Sequence, residues 1–189
     1  MPKPLGSSSQ PHLLREQANA VQLYLQYKGY HWNVAGPLFR ELHLLFDEHA
    51  AKVLETIDAL AERQRILGAP ARYTLTELVR ASNLESDAAL PSTTRGMIAR
   101  LLAAHRTIIA GLRDGIRAAE ADGDPGTLDL FVRTLQEHEK MEWFLREQAS
   151  PVPPSPEEAA AYGVPSERPA VPLGPPHAGP APLPGRAAR

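Results

Sequence analysis

Four long stretches of this chain repeat apolar residues at three- and four-residue steps, and glycine or proline separates them. That is the signature of amphipathic helices. The first runs from about residue 11 to 33, with Leu14, Ala18, Val21 and Leu25 on one stripe, before a break at Gly36-Pro37. The second spans about 38–67, with Leu42, Leu45, Phe46, Val53, Leu54, Ile57 and Leu60 as its stripe and Gly68 placed to end it. The third starts near Pro91-Ser92, with Ser92 or Thr93 as cap, and carries Ile98, Leu101, Leu102, Ile108, Ile109, Leu112 and Ile116. Asp122-Gly123-Asp124-Pro125-Gly126 closes it. The fourth runs over about 127–148, with Leu128, Phe131, Leu135 and Leu145 on one face. Runs of alternating β-branched residues are missing, so the expected class is all-α.

The connections between these helices are short, long and short. The long one, residues 68–91, contains Thr74–Arg80, which reads as a short capped helix. Short links make antiparallel neighbours, and a long middle link can cross a bundle. The expected fold is therefore a ferritin-like four-helix bundle with a short helix in the crossover between its second and third long helices. Topology alone does not specify function.

Proline divides the chain of 189 residues: seven of the 19 prolines fall in residues 1–150 and twelve in residues 151–189. The expected organisation is a flexible segment at 1–10, the bundle at 11–149 and a proline-rich, disordered tail at 150–189. The absence of cysteine rules out disulfides, thiolate metal sites and thiol catalysis, and it fits a reducing cytoplasm. Twenty basic and 22 acidic residues leave a net charge of −2, with no global attraction to nucleic acid or anionic lipid. The start has no apolar core of a signal peptide. The longest uncharged run, Pro169–Gly185, is too rich in Pro and Gly to span a membrane. The expected location is cytoplasmic.

Chemistry concentrates on the first two helices, in His31, His43, Asp47, Asp58 and Glu62. His43 and Asp47 stand four apart, as do Asp58 and Glu62, so each pair shares a helix face. Eleven residues separate Asp47 from Asp58, close to three full turns, which puts both pairs on one stripe. A tight hairpin at Gly36-Pro37 brings His31 and His43 near each other. Imidazole with carboxylate suits Fe(II), Mn(II) or Zn(II). At about 1.5 Å rise per residue, however, Asp47 and Asp58 lie about 16 Å apart along the helix, far beyond a shared coordination shell. One subunit cannot close this site; two subunits packed antiparallel about a two-fold can, making two equivalent sites. In-bundle di-iron proteins carry Glu-x-x-His twice. The residues three before the histidines are Ser9, Lys28, Arg40, Phe46, Leu102, Leu135 and Gly174, so that motif is missing.

The stretch from His31-Trp-Asn-Val-Ala-Gly-Pro through His43 to Asp47, followed by Asp58-Ala-Leu-Ala-Glu62-Arg, resembles the Dps miniferritins. Ala118–Asp124 and His138–Trp143 extend the likeness, which covers roughly residues 12–148. The resemblance implies a hollow homo-dodecamer that takes up iron, oxidises Fe(II) between two-fold-related subunits, preferentially with hydrogen peroxide, and stores the ferric mineral. It implies a ferroxidase protecting against oxidative damage. His31, His43 and Asp47 would ligate from one subunit and Asp58 and Glu62 from its neighbour, with Glu62 holding or bridging the first iron.

Other positions have two readings each. Trp32, beside a ligand, either shields the site or traps an oxidising equivalent, or it packs as an interface aromatic. Trp143 is similar. Glu41, Glu48 and Glu55 form an acidic line that either nucleates mineral or is a solvated face. Asp124 and Asp129, with Asp122 nearby, either line a pore for iron entry or cap a helix; Arg133 one turn on would make such a pore less negative. His105 and His138, on apolar stripes, are either core or interface histidines or metal ligands, and His49 points away from the His43 side of its helix. His12 and His177 are expected in flexible ends.

DNA binding, the other property attached to Dps, needs basic tails that neutralise phosphates. The first fourteen residues contain only Lys3. The tail sets Arg168, Arg186 and Arg189 against Glu157, Glu158 and Glu167. DNA binding is therefore expected to be weak or absent, and nucleoid association correspondingly slight. A nucleoid-binding cage and a metal-free helical scaffold presenting its proline tail are the alternatives.

Overall fold

The computed structural model of the chain describes residues 8–86 and 89–150. The expected proline-rich tail beyond residue 150 lies outside the described residues, as do residues 1–7 of the expected flexible start and His177. Five helices form, and there is no strand among the described residues: α1 (Gln10–Asn33), α2 (Phe39–Ile66), α3 (Leu75–Ala81), α4 (Thr94–Asp122) and α5 (Pro125–Ala149).

The helix ends follow from local chemistry. The Thr74 and Thr93 side chains accept hydrogen bonds from the Glu77 and Gly96 amides, capping α3 and α4. Each such cap is worth about 1 kcal/mol. Gly123 ends α4 in the left-handed conformation, φ 65°, which only glycine adopts without strain. Asp124 follows at once as the cap of α5, so that helix begins at Pro125, two residues earlier than the periodicity suggests.

The ends also reveal the topology. Ser9 at the start of α1 donates its amide to Asp122 at the end of α4, and Thr94 at the start of α4 donates to the Ala35 carbonyl just past α1, so these two helices are antiparallel. Arg63 near the end of α2 pairs with Asp124 at the start of α5, which makes that pair antiparallel too. The crossover through α3 thus returns the chain along the bundle, and α2 and α4 run parallel, as the long middle link requires.

The core is shared by all four long helices. Leu13, Leu23, Tyr27, Leu42, Phe46, Val53, Leu60, Leu101, Leu112, Phe131 and Leu145 are fully buried. Two helical glycines permit close contact: a Cβ at Gly115 would stand 2.8 Å from the Phe131 ring, and one at Gly111 would strike the Glu16 carboxylate.

The stripe expected on α1 is displaced. Its bundle face is Leu13, Ala20, Leu23, Tyr27 and Tyr30, whereas Leu14, Val21 and Leu25 turn outward. Leu25 and Leu54, expected in the core, are 54% and 51% exposed. For Leu25 the reason is that α1 is apolar on two faces, while Leu54 lies on the outward side of α2, beside the core residue Val53. The second face of α1 meets α3 in a groove of about 380 Å³ lined by Val21, Leu25, Leu75, Leu78 and Val79.

Candidate metal centre

The end of α1 and the first turns of α2 bring His31 and His43 together. Their rings stack with centroids 3.7 Å apart and planes 22° from parallel. His31 Nδ1 donates to the His43 carbonyl at 2.8 Å, and His43 Nδ1 donates to the His31 carbonyl at 2.9 Å. A carbonyl can only accept, so each Nδ1 carries a proton, and in the neutral ring that leaves the lone pair on Nε2. That is the tautomer in which a neutral histidine binds a metal, fixed by an outer hydrogen bond. The His31 carbonyl belongs to the last turn of α1, where no intrahelical donor is left for it, so the lock also satisfies the helix end. Val34 and Gly36, φ 104°, carry the chain across the hairpin.

Asp47 lies one turn beyond His43 and is solvent-exposed. Its carboxylate is held by Lys28 Nζ at 2.6 Å, and that hydrogen bond keeps its pKa below the usual carboxylate value. Sequence reasoning missed Lys28. Its position three residues before His31, on the same face of α1, was the available signal. The Lys28 ammonium also stands 6.0 Å from the centre of the Trp32 ring, and Trp32 is 69% exposed.

Asp58 and Glu62 are exposed on the same helix as Asp47, about 16 Å and more along it. Among the described residues of a single chain, no three His, Asp or Glu side chains converge on one point. The chain thus carries two separate polar groups on one stripe: the paired imidazoles with Asp47 one turn on, and the carboxylates of Asp58 and Glu62. The donor set is nitrogen and oxygen, suited to a borderline or hard divalent ion.

The remaining acidic candidates separate by environment. Asp124 is 2% exposed; it accepts from the Thr127 amide at 3.0 Å and hydroxyl at 2.6 Å, and pairs with Arg63. Burial alone would raise its pKa, but these bonds hold it below the carboxylate norm. It is committed inside the subunit as a cap. Asp122 accepts the Ser8 and Ser9 amides. Asp129 is outward-facing and bridged to Arg133 at 2.9 Å. Glu41, Glu48 and Glu55 are exposed in one line, Glu55 beside Lys52 at 3.3 Å. His12, expected at a flexible end, sits in the first turn of α1 with Nδ1 2.9 Å from Arg15.

His49, His105 and His138 are buried. Burial pushes His49 down to about 4 and His138 to about 3, and holds His105 well below its ordinary value. Trp143 stacks on Phe144 and is half exposed.

Residues 11–152 match the family model described as a ferritin-like domain. A low temperature-induced protein of Nostoc is 37% identical over 147 residues, which is 76% of this chain and 82% of that protein. A DNA protection during starvation protein 2 of Bacillus anthracis is 30% identical over 71% of this chain and 91% of its own length. Among solved structures, Dps from Thermosynechococcus elongatus superposes with a TM-score of 0.76 at 38% identity, covering 78% of this chain and 94% of that one.

Proposed function

Because the chain belongs to the Dps miniferritins of the ferritin-like family, we infer that it is the subunit of a homo-oligomeric cage, a dodecamer, that oxidises and stores iron in the cytoplasm. Iron is its substrate and cargo. The observation that carries the reading is the reciprocal lock of His31 and His43, whose stacked rings commit Nδ1 to the backbone and leave Nε2 for a metal at the hairpin between α1 and α2. Asp47 completes this half-site, and Asp58 and Glu62 of a two-fold-related subunit supply the other half.

The residues have separate tasks. The Nδ1 atoms of both imidazoles are committed to backbone carbonyls, so each ring is already oriented to offer Nε2 to Fe(II). The carboxylates lower the charge of the site and favour the ferric product over the ferrous substrate. Lys28 must release Asp47 as the metal enters. Two Fe(II) then give one electron each to one hydrogen peroxide, whose O–O bond breaks without releasing a hydroxyl radical. Removing both reagents of radical chemistry is the protective function. Asp129 serves iron entry and the line of Glu41, Glu48 and Glu55 serves mineral nucleation in this reading. Affinity for DNA is weak, because the charged residues of the tail cancel.

The test is stopped-flow Fe(II) oxidation by the purified oligomer, with peroxide and oxygen compared. The combined variant His43→Ala, Asp47→Ala, Glu62→Ala is expected to lose peroxide-dependent oxidation. Retention of the wild-type rate would overturn the site. For DNA, a mobility shift that survives about 150 mM salt would overturn the expected weakness.

A further inference from the structure

The centre of the bundle contains a polar chain that the iron site does not use, with one side chain from each long helix. Tyr27 of α1 places its hydroxyl 2.9 Å from His49 Nδ1 of α2 and 2.6 Å from His105 Nε2 of α4. His105 Nδ1 in turn lies 3.0 Å from His138 Nδ1 of α5. All four residues are buried: Tyr27 and His105 fully, His138 and His49 at 1% and 5% exposure. Apolar side chains would fill this space with no polar group to desolvate.

Proton counting shows what the chain can do. The phenol has one proton and two imidazole neighbours, so it donates to one and accepts from the other. When it donates to His105 Nε2, His49 Nδ1–H donates to the phenol oxygen. His105 then carries its own proton on Nδ1 and donates it to His138. Each contact is a route for a proton along one line. His138 Nε2 ends that line, buried and without a hydrogen-bond partner.

The phenol is also close to the iron-binding hairpin. Tyr27 is four residues before His31, about 6 Å of helix rise. Its ring centroid is 6.1 Å from that of Phe46, the residue next to Asp47 and three after His43. Burial holds the phenol neutral by raising its pKa well above 10, so it can lose an electron only as its proton moves to a base. His105, kept neutral by burial, is that base.

We propose that Tyr27 is a one-electron donor to the iron site, with His105 as the acceptor of its proton. The proposal rests on the iron-oxidation reading above. It applies when a site holds a single Fe(II), for which peroxide would otherwise yield hydroxyl radical. Peroxide needs two electrons: Fe(II) gives one and becomes Fe(III), and Tyr27 gives the second and becomes the neutral phenoxyl radical. The O–O bond breaks, two protons from solvent complete two waters, and the phenolic proton passes to His105 Nε2. His105 can hand its Nδ1 proton on to His138.

The experiment is freeze-quench electron paramagnetic resonance on the full-length oligomer given one Fe(II) per site and then peroxide. Fe(III) absorbance and hydroxyl-radical spin trapping are recorded on the same samples. The wild type is expected to show a tyrosyl signal that narrows with ring-deuterated tyrosine. Tyr27→Phe should reduce that signal to background and raise the trapped hydroxyl radical, while Trp32→Phe leaves the tyrosyl signal in place. His105→Gln keeps the phenol but changes its proton acceptor, and should slow radical formation severalfold; it decides the matter if Tyr27→Phe fails to assemble. Iron oxidation with an unchanged tyrosyl signal in Tyr27→Phe, or an unchanged rate in His105→Gln, overturns the proposal and leaves the ferroxidase reading standing. A wild type that does not oxidise Fe(II) overturns both.

Discussion

His31 and His43 each donate a ring N–H to the other's backbone carbonyl, at 2.8 and 2.9 Å, so the two side chains proposed as metal ligands also fasten α1 to α2. Replacing either should therefore have two effects. His43→Ala is expected to weaken Fe(II) binding by at least about tenfold and to destabilise the hairpin by about 1 kcal/mol through the lost hydrogen bonds. Calorimetric titration with Fe(II) under anaerobic conditions reads the first effect and denaturant unfolding the second. Wild-type affinity in this variant would remove His43 from the ligand set.

In the proposed site, Lys28 and an incoming metal would compete for the Asp47 carboxylate. Lys28→Gln is expected to strengthen metal binding severalfold. The gain should shrink with added salt, because the Lys28–Asp47 pair is partly exposed and screened. Titration with Fe(II) at two ionic strengths checks both statements. Weaker binding in the variant would mean that Lys28 positions Asp47 rather than competing for it.

Acid should loosen the bundle through its buried histidines. The ring pKa values of His49 and His138 fall from 6.5 to about 4 and about 3 in the folded chain, so the unfolded chain binds more protons below pH 6.5. Their contribution to stability is complete above pH 6.5 and is lost as the pH falls toward the folded values. The urea midpoint at fixed protein concentration should drop between pH 7 and pH 5. His138→Leu should flatten that dependence.

Glu16 works in the opposite direction. Burial raises its pKa to about 7 from 4.5, so the folded state favours the protonated acid. The stability tied to it is complete below pH 4.5 and is lost as the pH rises through 7. Glu16→Gln mimics the neutral form and should stabilise the protein at pH 8 by on the order of 2 kcal/mol, with little change at pH 5. Equal effects at both pH values would contradict this assignment.

The two acids near the α4–α5 turn should separate cleanly. Asp124→Ala removes a cap and the partner of Arg63, and should lower stability by about 2 kcal/mol. Asp129→Asn should leave stability unchanged, within about 0.5 kcal/mol. It should slow iron uptake if Asp129 lines the entry route. Thermal unfolding and mineralisation kinetics on both variants are the measurements.

The four long helices and the crossover were legible because each is encoded locally, by periodicity and by capping residues such as Thr93 and Gly123. The face of α1 was less legible. It carries two apolar stripes, and spacing within one helix does not say that Leu13 rather than Leu14 faces the bundle. The pairing of His31 with His43 followed from the short hairpin, but the carbonyl lock did not, since it depends on ring orientation. Lys28 beside Asp47 and the line from His49 through Tyr27 to His138 join helices distant in sequence, and no spacing rule encodes such contacts. Asp124 was ambiguous because capping and pore lining draw on the same residue type.

The hairpin lock also bears on how such chains change over evolutionary time. His31 and His43 hold the fold together locally, so a lineage that abandoned iron chemistry would still lose stability by discarding them. Asp58 and Glu62, exposed on α2, face no such penalty and would drift as soon as selection for oxidation relaxed. In related chains the paired histidines would then persist as architecture, and the two carboxylates would be the better marker of a lineage that still handles iron.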